Sequence, residues 1–298
     1  MRPGRLASVA GALLLLWAPG CRRDAPASGG DDPLAEPRAL VDARRFDDAI
    51  VRLGEGNDPE ALYLLGRAWA GKAQTAPVPT PAPGSVSPAG PLLKPEEEQA
   101  LAFYERVTAA RPDHAGAHLA IAQLLAAHAL AGAGARGVGA RPGERVDASV
   151  DRVLRSFGDA IQADPAGIVA VEEMIRFAMA AGRASAADGG FQELVQRRRE
   201  DPEVLVRYGD FLAGPAGNAD GALARYAQAL IWRPDDTATR LKMAEIHLAA
   251  ASALLAKLQY AAAEARLRDA RRFVLDPASP QAARLRELEG RIRDIRGR

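Results

Sequence analysis

The stretch Ala222-Leu223-Ala224-Arg225-Tyr226-Ala227-Gln228-Ala229-Leu230-Ile231-Trp232-Arg233-Pro234 decides the fold. Its small and aromatic positions, Ala222, Tyr226, Ala229 and Pro234, fall as A-x3-Y-x2-A-x4-P on one helical face. Just upstream, Leu205, Tyr208, Gly209 and Leu212 read L-x2-Y-G-x2-L. Small residues at Gly209, Ala222 and Ala229 let two antiparallel helices approach closely, and Tyr208, Leu212 and Tyr226 fill the space between them. Pro234 stops the second helix, because it has no N–H to donate and its ring clashes with the preceding turn. One such pair cannot bury both of its faces, so it needs neighbours on each side.

The rest of the chain supplies them. Toward the N-terminus, Leu62, Leu65, Gly66 and Trp69 repeat the first-helix spacing, and Ala100, Tyr104, Val107 and Pro112 repeat the second. His118, Ile121, Ala122 and Leu125 open the next unit, which Val153, Phe157, Ala160 and Pro165 close. Val171, Met174, Ile175 and Ala178 begin a third, whose second helix is expected near Gly190 to Arg199, with Arg197 where Ala belongs and loose packing as the result. Toward the C-terminus, Met243, Ala244 and His247 lie in a long helix expected from Thr237 to about Lys257, followed by Tyr260 to Leu275. Ser279 to Ile295 reads as a capping helix with Leu285, Leu288 and Ile292 inward and arginines outward. An N-terminal helix pair, broken near Ala43 to Phe46, fits Leu40, Val41, Phe46, Ile50 and Leu53. The prolines Pro112, Pro165, Pro202 and Pro234, at intervals of 53, 37 and 32 residues, read as helix terminators of successive units.

The combined motif resembles the tetratricopeptide repeat, whose period is about 34 residues. The resemblance implies an all-α, right-handed α–α superhelix over residues 38–298. Two inserts interrupt it. Residues 74–95 hold Pro77, Pro79, Pro81, Pro83, Pro88, Pro91 and Pro95 and are expected to be an exposed loop, as is the Gly/Ala/Arg-rich stretch 132–143.

Residues 1–20 have a basic start at Arg2 and Arg5, an apolar run from Leu6 to Trp17 and a small-residue end. That run is too short to span a bilayer, which needs about 20 apolar residues, so it reads as a secretory signal. Cys21, the single cysteine of the chain, follows directly. The segment resembles a bacterial lipoprotein signal, with Cys21 at the lipidated position, although Ala18 and Pro19 depart from the usual residues. Ordinary cleavage near Ala25-Pro26-Ala27 is the alternative. Lipidation implies a membrane anchor through the N-terminal lipid, and Arg22 after the cysteine implies the outer membrane, facing the periplasm. Ordinary cleavage implies a secreted or soluble periplasmic protein. Residues 21–37, rich in Gly, Pro, Ala and Asp, read as a disordered tail and flexible tether.

Composition narrows function. With 39 basic and 38 acidic residues the chain lacks the sustained positive field of nucleic-acid binding. Apolar residues make up 48% and aromatics only 5%, which favours close-packed helices. His114 and His118 are one helical turn apart beside Asp113, a spacing a zinc site could use, but no cysteine joins them, and His118 and His247 fall at packing positions. The sequence contains no G-x-S-x-G, phosphate loop, H-E-x-x-H or dinucleotide fingerprint, and Glu172 and Glu173 have no visible catalytic partner, so no catalytic residue, metal or cofactor is expected. The C-terminal arginines, among them Arg266, Arg271 and Arg296, alternate with acids such as Glu264 and Glu289 at helical distances, as in a solvated, ion-paired face.

What the resemblance implies is a concave surface built from first helices that holds a protein or peptide partner. Carried onto this chain, the groove-facing positions are Tyr63 and Arg67, Leu119 and Gln123, Glu172 and Arg176, Val206 and Asp210, and Leu241 and Glu245. The expected function is a non-catalytic scaffold, anchored in the envelope, for an assembly, secretion or pilus-type complex. The alternative is a secreted ligand-binding or enzyme-associated module whose inserts close over the groove.

Overall fold

The computed structural model describes residues 32–54, 56–75, 93–134 and 144–296. Among them are thirteen helices and no strand. The first two, α1 (Ala35–Asp42) and α2 (Phe46–Leu53), form the short N-terminal pair. Five full pairs follow: α3 (Pro59–Thr75) with α4 (Pro95–Ala110), α5 (Ala115–Gly134) with α6 (Glu144–Ala163), α7 (Val169–Ala180) with α8 (Ala184–Arg197), α9 (Pro202–Ala213) with α10 (Ala219–Trp232), and α11 (Thr237–Ala256) with α12 (Tyr260–Arg271). The last helix, α13 (Pro280–Arg296), closes the end. In the five full pairs each helix packs chiefly on its pair partner and then on the adjacent pair, while α2 packs chiefly on α3, so contacts run in chain order. This is the all-α solenoid that the repeat pattern implies.

Pair closure follows from the small-residue positions. A Cβ on Gly209 would lie 2.4 Å from Cε1 of Tyr226, and one on Gly66 would lie 2.5 Å from Cε1 of Tyr104. The two units thus use the same lock, an aromatic ring of the second helix filling the space that a side chain on the glycine of the first would take. Tyr226, Tyr104 and Phe157 are all buried, each worth about 1.5–3 kcal/mol in apolar surface removed from water. In the third unit the lock is reversed. Ile175 stands at the glycine position of α7, and Gly190 of α8 gives way to it, with a Cβ there only 2.6 Å from Ile175 Cγ1. α7 and α8 accordingly meet less extensively than the equally long α9 and α10.

The third unit also corrects the register. Its second helix begins at Ala184, and its packing residues are Ala187, Phe191 and Leu194, all buried. Arg197 is therefore outside the Ala position. Its guanidinium pairs with Glu193 at 2.8 Å and donates to the carbonyl of Gly167 in the α6–α7 loop. Pro202 does not terminate a helix either. It opens α9 at the first helical turn, behind an Asp201 side chain that accepts from the Glu203 and Val204 amides at 3.0 and 3.4 Å. Pro112, Pro165 and Pro234 each follow a second helix by two residues, as expected.

The expected boundaries shift at three other places. α1 starts at Ala35, inside the stretch read as tether, with Pro37 already buried. Asp32 accepts from the Leu34 amide at 3.0 Å and pairs with Arg38 at 2.9 Å, so local hydrogen bonding starts the helix early. α3 continues through Gln74 and Thr75, and α5 through Gly134, so both inserts are shorter than read. Residues 76–92 and 135–143 of the inserts, like the signal segment, Cys21 and most of the tether, lie outside the described residues.

At the C-terminus, Leu285, Leu288 and Ile292 of α13 are buried on Leu248, Leu255 and Leu267. Four of the arginines there are ion-paired among the described residues, chiefly between helices and less along them. Arg271 pairs with Glu289 and Arg296 with Glu264, tying α12 to α13, while Arg266 reaches Asp220 of α10 at 3.8 Å. Among these described pairs, only Arg272 with Asp269 follows the expected spacing along one helix.

Candidate functional site

Because the units share one register, the residue just after each Gly66-like position recurs on the same face of every first helix. That row is Arg67, Gln123, Arg176, Asp210 and Glu245. The residue three before the Gly66-like position gives Tyr63, Leu119, Glu172, Val206 and Leu241. None of the ten is buried. Arg176, Asp210 and Glu245 are exposed and the other seven are half-buried.

Tyr63, Leu119 and Val206 of the row pack against buried neighbours. Tyr63 tilts against Tyr104 with ring centroids 5.9 Å apart and against His114 at 4.7 Å, bridging α4 and the loop before α5. Leu119 packs beside Phe157 and Phe177, and Val206 beside the cluster around Tyr208 and Phe211.

Gln123, Glu172 and Asp210 are joined to the next first helix by residues that sequence reading did not place on the row. Two residues before the Gly66-like position stand Glu173, Arg207 and Lys242 in α7, α9 and α11. Each reaches back to the preceding first helix. Glu173 accepts from Gln123 Nε2 at 3.0 Å, Arg207 donates to Glu172 at 3.2 Å, and Lys242 donates to both carboxylate oxygens of Asp210 at 2.7 Å. At the N-terminal end Arg67 pairs with Asp42 of α1 at 3.0 Å. The same position holds Leu64 in α3 and Ala120 in α5, where no such polar link can form. A register-aligned comparison of first helices would have found these rungs, since the position turns from apolar to charged after the second unit.

Asp210 is the most connected of the row. It also accepts from the Tyr226 hydroxyl at 2.7 Å, so one carboxylate holds α9, α10 and α11 together. Burial, reinforced by that carboxylate, pushes the Tyr226 phenol far above its ordinary range, so it stays a donor. Tyr104 is likewise held protonated by burial. Tyr208 donates to Asp188 at 2.8 Å, and burial raises it as well.

The histidines are dispersed into separate local contacts. His114 Nδ1 accepts from the Ala117 amide at 3.0 Å at the start of α5, and His118 Nε2 lies 2.8 Å from the Pro112 carbonyl. His128 Nε2 lies 3.0 Å from Glu97, and His247 is buried and stacked on Phe273 at 5.9 Å. No group of three or more His, Cys, Asp or Glu placed to hold a metal ion occurs among the described residues. No described helix is long and apolar enough to cross a membrane.

No protein-family model matches the chain, and no curated protein matches it by sequence. Solved structures similar to it include tetratricopeptide proteins. A thermophilic tetratricopeptide protein of Thermus thermophilus is 20% identical, with 72% of this chain and 96% of that one covered and a TM-score of 0.39. MamA of Desulfovibrio magneticus RS-1 is 16% identical, covering 69% and 98% with a TM-score of 0.42. YrrB, a tetratricopeptide protein with an unusual peptide-binding site, is 15% identical, covering 81% and 97% with a TM-score of 0.41. The helix-pair geometry above, and not these scores, carries the fold assignment.

Proposed function

We propose that this chain is a non-catalytic adaptor that holds an extended segment of a protein partner along the row of first helices, and that a lipid on Cys21 anchors it in a bacterial envelope, at the outer membrane. The observation that carries the partner reading is the row itself. Ten positions recur at fixed register on α3, α5, α7, α9 and α11, all at least partly open to solvent, and pair an apolar or aromatic residue with a polar one on every helix but α7, where Glu172 and Arg176 are both charged. Such a strip offers a peptide backbone and its side chains a repeated set of contacts, and the polar rungs between α5, α7, α9 and α11 hold the strip in one shape before a partner arrives. The anchor reading is supported by the apolar run Leu6 to Trp17 followed by the only cysteine of the chain.

A photo-crosslinking residue at Arg176 or Glu245, both exposed on the row, is expected to trap a protein adduct in cells. The same residue at Arg155, exposed on α6, is expected to trap none. Absence of adducts from every row position would overturn the partner reading. A fatty-acid label that persists in Cys21→Ser would overturn the anchor.

A further inference from the structure

The layer of second helices carries a feature the groove leaves unused. Between α8 and α10 lies a cleft of about 420 Å³, within the size range of ligand pockets. Val195 of α8 and Ile231 and Trp232 of α10 line it, with the buried Leu205 of α9 behind them. Ile231 is 72% exposed and Trp232 50%, the only pair of consecutive large apolar side chains left open among the described residues.

The polar lining of this cleft is one-sided. Arg199 and Arg225 face it, and among the described residues no carboxylate does. Arg225 lies 5.0 Å above the Tyr208 ring and donates to the neutral Gln228 at 2.9 Å. Arg199 is exposed and meets no carboxylate among the described residues, whereas its neighbours Arg197 and Arg198 are paired with Glu193 and Asp201. Glu200 and Asp201 line the shallower hollow beside it, which shares Gln196 and Arg199 with the cleft, and neither forms an ion pair with Arg199 among the described residues. Two cations that lack anions, set around an apolar cleft with an open Trp, match a partner that brings its own carboxylates and one large apolar side chain.

We propose that this cleft docks an acidic peptide segment, one aliphatic or aromatic side chain of which enters between Val195 and Trp232 while its carboxylates meet Arg199 and Arg225. The cleft beside Ile231 and Trp232 has room for a large side chain above the buried Leu205, and that favours a protein segment over a flat bilayer surface. The site is independent of the groove on the first helices.

The test titrates the full-length chain against a fluorescein-labelled, Glu-rich peptide of about 12 residues with two Leu four positions apart. Anisotropy and Trp emission are the readouts. Saturable binding is expected, weakening with added salt, with no binding of the counterpart in which Lys replaces Glu. Arg199→Glu and Trp232→Ala are each expected to weaken it at least about tenfold, while Trp232→Phe retains most of it and Arg155→Glu, on the exposed face of α6, leaves it unchanged. Circular dichroism melting checks that each variant is folded. Equal binding of the Lys peptide, or indifference to both cleft variants, would overturn the proposal. So would two other outcomes at Trp232: binding to phosphatidylglycerol vesicles without peptide binding assigns the cleft to a membrane, and self-association lost in Trp232→Ala assigns it to a second copy.

Discussion

Adjacent glycines in α8 show how finely the packing discriminates between single atoms. Gly189 has nothing within 4 Å of where a Cβ would sit, while a Cβ on Gly190 would strike Ile175. Gly189→Ala is therefore expected to raise stability by about 0.5–1 kcal/mol through helix propensity alone. Gly190→Ala should lower it by about 1–3 kcal/mol despite the same gain, because overpacking against a β-branched side chain dominates. Denaturant midpoints of the two variants check the sign of each. Tyr226 gives a second scale. Its ring fills the gap over Gly209 and its hydroxyl bonds Asp210, so Tyr226→Ala should cost about 3–5 kcal/mol, whereas Tyr226→Phe, which keeps the ring, should cost about 1 kcal/mol. His247 tests burial by pH. Desolvation holds its imidazole below the ordinary value, with Asp269, Arg266 and Asp220 as the nearby charges, and its Nδ1 meets no partner among the described residues. The unfolded chain then binds a proton that the folded one refuses. Its contribution is intact above about pH 6.5 and is lost as the pH falls toward the lowered folded value. Urea midpoints measured between about pH 7 and pH 5 should fall in the native chain and flatten in His247→Phe.

At the scale of helices, the starts are set by side chains close at hand. Asp236 caps α11, accepting from the Thr239 amide at 3.1 Å and the Thr239 hydroxyl at 2.6 Å. These bonds lower its pKa, so the cap is complete above the ordinary carboxylate range and fails as the pH falls through the lowered value. Asp236→Ala is expected to cost about 1 kcal/mol near neutral pH by thermal melting, and to be silent at strongly acidic pH. Elements of this kind were legible in the sequence. The break between α1 and α2, the span of α11 and the inward Leu285, Leu288 and Ile292 of α13 follow from apolar spacing and caps that act within a few residues. The register of α8 was not legible, because Pro202 carries two physically consistent meanings. A proline suits the position after a helix and also the first turn of the next, and Asp201 before it selects the second. The rungs through Glu173, Arg207 and Lys242 were hidden for another reason. A charged residue on a half-open helix face looks solvated until the neighbouring unit is laid beside it.

For the whole molecule, the order of contacts sets how far a local injury travels. Among the described residues each unit packs chiefly on those next to it, so stability is a chain of pair energies and neighbour energies. The C-terminal apolar cluster is built from α11, α12 and α13, and its residues Leu248, Leu255, Leu267 and Leu288 are distinct from the cluster around Val171, Phe191 and Tyr226. Leu288 is 2% exposed, and Leu288→Asp places an unpaired carboxylate in that end of the array. Amide hydrogen exchange should then show protection lost across α11 to α13, reduced in α9 and α10, which Lys242 and Arg266 reach from that end, and kept in α3 to α6. The converse variant, Tyr104→Ala, removes the ring over Gly66 at the other end and should spare α11 to α13. Uniform loss of protection from either variant would mean that the polar rungs along the first helices couple the units more strongly than their short contacts do. The array would then behave as one cooperative body, and a partner bound at any unit would rigidify them all.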